Sequence, residues 1–320
     1  MSNLTAKNYS RLTRKAVPGN KKPLWKRILQ QRALILMVIP GLLVVLVFNY
    51  FPMYGVLIAF KDYSTRAGIW GSPWVGFKYF ENFFKNPTTP SLFRNTFLLG
   101  LYSLIWSFPA PIILALLFNE LRGKRFKKLT QTVSYFPHFI STIIVCGMLK
   151  EFSSRGGLFN QINALLGNEP VSYLLEPKYF RTLFIASGIW QSVGFGSIIY
   201  LAALSGVDQS LLDAADIDGA NRFHKIIYIN WPAIAPTTIV LLIFAISNIM
   251  GNDFTKVLLL YSPKTYSVAD VIGTYTFREG IQGQRFEYTT AIGLLMSVIG
   301  FVLIVIANWV SKHVSETSLW

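Results

Sequence analysis

Four aspartates, Asp208, Asp213, Asp216 and Asp218, fall close together in a chain of 320 residues whose formal net charge is +15. Asp216-Ile217-Asp218 is a D-x-D, and two carboxylates at that spacing offer hard oxygen ligands to a divalent metal. A membrane-embedded glycan-synthesising enzyme could use such a pair to hold a sugar nucleotide. Three residues alone specify little, and no sizeable soluble domain surrounds them to form a nucleotide pocket. Other chemistry is thinner still. His138, His224 and His313 are scattered, with neither an H-E-x-x-H nor a His/Cys cluster. No G-x-x-x-x-G-K-[ST] occurs, so the chain has no P-loop for ATP, and energised work would draw on another subunit. The single cysteine, Cys146, excludes a disulfide framework.

The elements that must carry these residues are apolar. Hydrophobic residues make up 52% of the chain and charged ones 14%, against roughly 25% charged in soluble domains. Six long stretches lack any Asp, Glu, Lys or Arg: Ala33 to Phe60, Asn95 to Asn119, Leu129 to Leu149, Thr182 to Val207, Ile226 to Asn252 and Tyr288 to Ser311. Each exceeds the roughly 20 residues a helix needs to cross about 30 Å of hydrocarbon. One charge at the bilayer centre costs roughly 2.5–3.5 kcal/mol, so soluble amphipathic helices are a poor account of these windows. The expectation is an all-α membrane protein with six transmembrane helices.

Lys and Arg in short flanking segments set the orientation. Nine precede the first span without an acid, and "RGKRFKK" follows the second, so both segments are expected in the cytoplasm, together with both termini. The basic surplus reads as a topology signal and an attraction to anionic membrane lipid, with no call for nucleic acid. The expected domains are a basic cytoplasmic segment over 1–32, a six-span domain over 33–311 and a tail over 312–320. Within the first of these, "PLWKRILQQR" has the spacing of an interfacial helix opened by Pro23. The first apolar run is too long for a signal-peptide core and reads as an anchor. "GIWGSPWVGFKYFENFF" reads as an aromatic belt at the outer surface or as a docking surface for an outside partner.

Within the spans, Gly188, Ser192 and Gly196 stand at i, i+4 and i+8 and predict a packing seam. Pro109, Pro111 and Pro137 predict kinks. Gln191, Asn248 and Asn252 are polar groups inside spans, where they serve either a hydrated pathway or helix-to-helix hydrogen bonding. Trp190, Gln191 and Asn248 are the candidate pathway-lining residues. An ion-driven secondary transporter would want an ionisable residue deep in a span, and only His138 is available, which reads better as a bundle contact.

The acidic stretch lies between spans four and five. "VDQSLLDAADIDGA" favours a helix, with Ser210 three residues before Asp213 in capping-box spacing and Gly219 placed to end it. Leu211, Leu212, Ala214, Ala215 and Ile217 exceed what capping requires, and small alanines let another protein approach closely. The stretch resembles the E-A-A-x-x-x-G…I-x-L-P pattern of bacterial ABC importer permeases: Asp213, Ala214, Ala215, Gly219, Ile229 and Pro232 keep every interval, while Asp213 replaces the Glu and Trp231 the Leu. "FPMYGVLIAFKDY", "SPWVGFKYF", "FPAPIILALLFNE", "YFPHFIS", "GSIIYLAAL" and "SLW" extend the likeness to the polysaccharide and oligosaccharide branch related to maltose permeases, alginate importers included. The resemblance implies a type I importer permease fold in a bacterial inner membrane, with a cytoplasmic coupling helix in the loop over 208–232. It implies Asp213, Ala214, Ala215, Gly219 and Ala220 as the ATPase-docking residues. It further implies a second related permease, a cytoplasmic ATPase dimer holding ATP and Mg, and an extracytoplasmic sugar-binding protein, with no cofactor in this chain.

Overall fold

The computed structural model describes Trp25, residues 31–251, 253–314 and 318–319. The other residues of the basic leader, and hence most of the expected interfacial helix, lie outside the described residues, as does Asn252. The chain forms two compact units, one ending at Val56 and the other starting at Leu57. Among the described residues every regular element is helical, apart from an isolated antiparallel bridge between Lys61 and Trp74.

The first span, Arg32–Phe60, crosses from one unit into the other. Every residue from Gln31 to Tyr54 is exposed, and the helix is apolar on all sides, which suits hydrocarbon as its solvent. In the second unit, four further helices have the length and composition of spans: Thr89–Asn119, Pro177–Leu204, Arg222–Ser247 and Phe286–Val314. They are spans two, four, five and six. Pro109 opens a new helical segment within span two, where its missing N–H costs least.

Span three breaks at the expected Pro137, and far more sharply than a kink. In place of one rod over Leu129 to Leu149, Lys124–Phe139 and Thr142–Phe152 meet at 95°. Pro137 cannot donate to the preceding turn, and Phe136–Phe139 tightens into a 3-10 turn. Ile140 is extended, and the Ser141 hydroxyl restarts the helix by accepting the Ile143 N–H at 3.3 Å. Thr142–Phe152 has 11 residues, about 16 Å at 1.5 Å each, so only the bent pair together could traverse a bilayer. Gln191 of span four supplies the donor that the bend leaves missing: its Nε2 gives a 2.9 Å hydrogen bond to the Ile140 carbonyl.

Span four is the hub, and its glycines show where neighbours close in. A Cβ on Gly194 would fall 1.9 Å from the Ser134 carbonyl oxygen, so the first half of span three lies directly on that backbone. Gly188 meets Lys256 and Gly196 meets Pro111, each at 3.1 Å. Of the predicted seam, only Gly196 packs on a neighbouring span; Gly188 meets the tip of the Lys256 side chain, Ser192 is exposed, and the tightest approach is at Gly194. The stripe drifts around a 3.6-residue helix, so i, i+4, i+8 spacing does not hold one partner along its length.

Among the described residues three apolar cores hold the second unit, and two of them lie at opposite ends of span four. Leu99, Cys146, Phe180, Phe184, Val257 and Leu260 join spans two, three and four to the helix Phe254–Leu260. Ile112, Ala115, Tyr200, Leu204 and Ile234 join spans two, four and five beside the acidic loop. His138 stacks on Phe195 of span four with centroids 4.0 Å apart, in keeping with a bundle contact.

Candidate functional site

Leu204 ends span four, and the backbone turns through Ser205 to Val207 before a nine-residue helix, Gln209–Ile217. Its cap is Asp208, whose Oδ1 accepts the Ser210 N–H at 2.9 Å. The expected cap at Ser210 is therefore corrected. A capping box wants Glu or Gln at the third position, and Asp213 is too short to reach back; it instead accepts from Gln209 Nε2 at 3.0 Å. The Ser210 backbone N–H and hydroxyl together hold the Asp208 carboxyl below its ordinary range.

The far end of the helix closes as Gly219 predicts. Gly219 takes φ +74°, Ala220 N–H reaches the Ala215 carbonyl at 2.9 Å and Gly219 N–H the Asp216 carbonyl at 3.2 Å. These are the paired 6→1 and 5→2 bonds of a Schellman ending, which satisfy carbonyls the helix would otherwise leave bare. Asn221 then caps the next helix by accepting the His224 N–H at 2.9 Å, and this second helix runs on into span five. Lys225 forms an ion pair with Asp216 across the turn, tying the two helices together. The Asp216 carboxylate is thereby committed to a cation, and no three His, Cys, Asp or Glu side chains converge to hold a metal among the described residues.

The elbow presents an exposed face. Asp213, Ala214, Asp218 and Gly219 are exposed and Ala215 and Ala220 half-buried. Leu211, Ile217 and Phe223 stand out as large apolar side chains, Ile217 being 87% exposed. A short helix with no buried residue gains nothing from its own bundle along that face. On either side of it the chain runs into spans four and five, whose Leu204 and Ile234 share one buried core.

The candidate pathway residues are not brought together. Gln191 is engaged at the bend of span three. Trp190 borders an apolar cavity with Val145, Leu149 and Phe159. Asn248 ends span five and borders a separate cavity with Ser103, Ser107 and Asp253. Arg181, near the start of span four, carries no such expectation from the sequence, yet its buried Nε has no partner among the described residues. The signal was its i, i+3 placement after Lys178, which a search for charge-free windows treats only as a boundary.

Away from the loop, the segment after span one is a compact module. Val75 N–H meets the Phe60 carbonyl at 2.8 Å, and the Phe60 and Trp74 rings stack 5.5 Å apart. Asp62 accepts the Tyr79 hydroxyl at 2.5 Å, which with Lys78 holds its carboxyl low. Trp70, Trp74 and Phe77 remain exposed.

This arrangement of broken and continuous spans around an exposed, capped elbow is that of a membrane transport subunit. Residues 89–316 match the family described as the binding-protein-dependent transport system inner membrane component, and the chain belongs to that family. It is 44% identical over 288 residues to the protein LplB of Bacillus subtilis strain 168, covering 90% of this chain and 91% of that one. It is 40% identical over 301 residues to the polygalacturonan/rhamnogalacturonan transport system permease protein YteP of the same organism, covering 94% of each. Among solved structures, a bacterial ABC transporter that imports the acidic polysaccharide alginate contains a chain 39% identical to this one. That match has a TM-score of 0.84 and covers 91% of this chain and 98% of the other. A second structure, of an alginate ABC transporter with its pentasaccharide-bound periplasmic protein, matches at TM-score 0.85 and 38% identity, over 92% and 99% of the two chains. The fold is the type I ABC permease fold.

Proposed function

We propose that this chain is one permease subunit of an ATP-driven importer for oligo- or polysaccharides, and that the elbow over 208–232 is its coupling element. In this reading the elbow lies in the cytosol with both termini, and a second, related permease completes the translocation pathway. An ATPase dimer with ATP and Mg grips the elbow of each permease. A sugar-binding protein delivers substrate at the opposite face, where Trp70, Trp74 and Phe77 are exposed. The observation that carries the reading is the elbow itself: a helix capped at both ends, continuous in the chain with spans four and five, with its exposed face unpacked. Such an element moves as a lever, because displacing it moves Leu204 and Ile234 and with them two spans. Asp213 faces a basic groove on the ATPase, Ala214 and Ala215 allow close seating, and Gly219 with Ala220 sets the turn.

A photo-crosslinking residue at position 214, in inner-membrane vesicles holding the whole transporter, tests this reading. Capture of the ATPase subunit is expected, with a yield that changes on ATP binding. Capture of the second permease or the binding protein, with no ATPase, contradicts it.

A further inference from the structure

A cavity of about 650 Å³ lies between spans two and four, in the size range of small-ligand sites. Its walls combine two kinds of side chain. Tyr102 and Trp106, four residues apart on one face of span two, present aromatic surface, Trp106 being 64% exposed. Lys178 and Arg181, three residues apart on span four, present cations, and no acid lies in the wall. Neither cation has a carboxylate partner among the described residues. The nearby Asp270 is taken, both of its oxygens receiving Arg278 at 2.8 and 3.3 Å.

Arg181 is held in place by a neutral neighbour. The Asn95 amide gives its two N–H groups to the carbonyls of Asp270 at 3.1 Å and Tyr266 at 3.4 Å, which turns its oxygen to accept Arg181 Nη2 at 3.1 Å. The guanidinium is fixed at one edge while its Nε is buried without an acceptor. A fixed guanidinium matches a carboxylate, which takes two parallel N–H donors. The adjacent Tyr102 and Trp106 rings suit the C–H face of a pyranose, whose hydrogens meet the negative ring faces.

We propose that this cavity is the subsite for an acidic sugar unit, Arg181 and Lys178 receiving the carboxylate of a uronate while Tyr102 and Trp106 stack on its ring. The inference rests on the sugar-importer reading and narrows its substrate to uronate-containing chains. Ile185 and Ile189 continue the same face of span four and add apolar wall to the pocket.

The test uses the complete transporter in proteoliposomes of phosphatidylcholine, which removes anionic lipid as an occupant. ATP-driven uptake is measured for short oligogalacturonates, oligomannuronates and oligoguluronates, and for the same oligomers after carboxyl reduction to neutral sugars. Wild type is expected to prefer an acidic oligomer over its reduced form. Arg181→Gln, and separately Lys178→Gln, is expected to cut that acid-to-neutral ratio by about tenfold or more, mainly through KM, with Arg181→Lys recovering part of it. A ratio unchanged in both Gln variants overturns the proposal whatever happens to total uptake. Wild-type uptake of neutral oligomers alone overturns it and leaves the importer reading standing. Uptake of no oligomer of either kind overturns the oligosaccharide reading itself and this proposal with it.

Discussion

Replacing Gly219 isolates the turn from everything else in the elbow. A Cβ added there meets nothing within 4 Å, so a side chain causes no clash and acts only through the backbone at φ +74°. For a residue other than glycine, the left-handed conformation costs about 1–2 kcal/mol, with β-branched residues at the upper end and Asn near the bottom. That cost falls on the equilibrium between the closed elbow, with its 2.9 and 3.2 Å Schellman bonds, and an opened one. A loss of about 1–2 kcal/mol lowers the closed fraction's weight by a factor of roughly 5–30. Gly219→Val should therefore insert and assemble normally, since both flanking cores are untouched, while sugar moved per ATP hydrolysed falls severalfold. Gly219→Ala should lie between, and Gly219→Asn close to wild type. The assay is the ratio of uptake to phosphate release in proteoliposomes. A wild-type ratio for Gly219→Val, or an equal loss for Val and Asn, would refute the claim that the left-handed turn is what matters.

Other outcomes follow from contacts elsewhere in the bundle. Gln191→Leu leaves the Ile140 carbonyl bare at the bend of span three and should lower the unfolding temperature, a loss of about 1–3 kcal/mol, with acid-versus-neutral sugar preference intact; an unchanged unfolding temperature would show the hydrogen bond to be dispensable. Gly194→Ala should sharply reduce the yield of folded protein on size exclusion, because its Cβ would sit 1.9 Å from a backbone oxygen, whereas Gly147→Ala, with nothing within 4 Å, should not. Lys256 is buried and donates to the Phe184 carbonyl at 2.8 Å; desolvation pushes its ammonium down to about 8 from 10.5. Between those values the unfolded chain holds the extra proton, so stability should rise with pH across that window, and Lys256→Met should flatten the rise in thermal unfolding scans.

The sequence made the apolar rods legible and left their backbone direction obscure. Spans one, two, four, five and six occupy the charge-free windows because a charge in hydrocarbon is costly wherever the helix points. In the third window Pro137 marked the place of the break, but composition is blind to its 95° size. The signal was Pro137 followed by Ser141, a breaker and then a cap four residues on. The elbow's closing glycine was legible because glycine pays no left-handed penalty, whereas its opening cap fell to Asp208 because carboxylate reach, not spacing alone, decides which side chain meets a free N–H. Arg181 escaped notice for a different reason: its meaning lies in what it fails to meet, and an unpartnered Nε exists only once Asn95, Asp270 and Arg278 have been placed around it.

Sidedness of the elbow decides the central claim most directly. A cysteine at the exposed position 217, with the buried Cys146 replaced by Ser, can be challenged with a membrane-impermeant maleimide. The account predicts labelling in inside-out vesicles stripped of the ATPase, protection when the ATPase is restored, and no labelling of intact cells. Labelling from outside intact cells, or labelling in vesicles that the ATPase leaves unchanged, would contradict it.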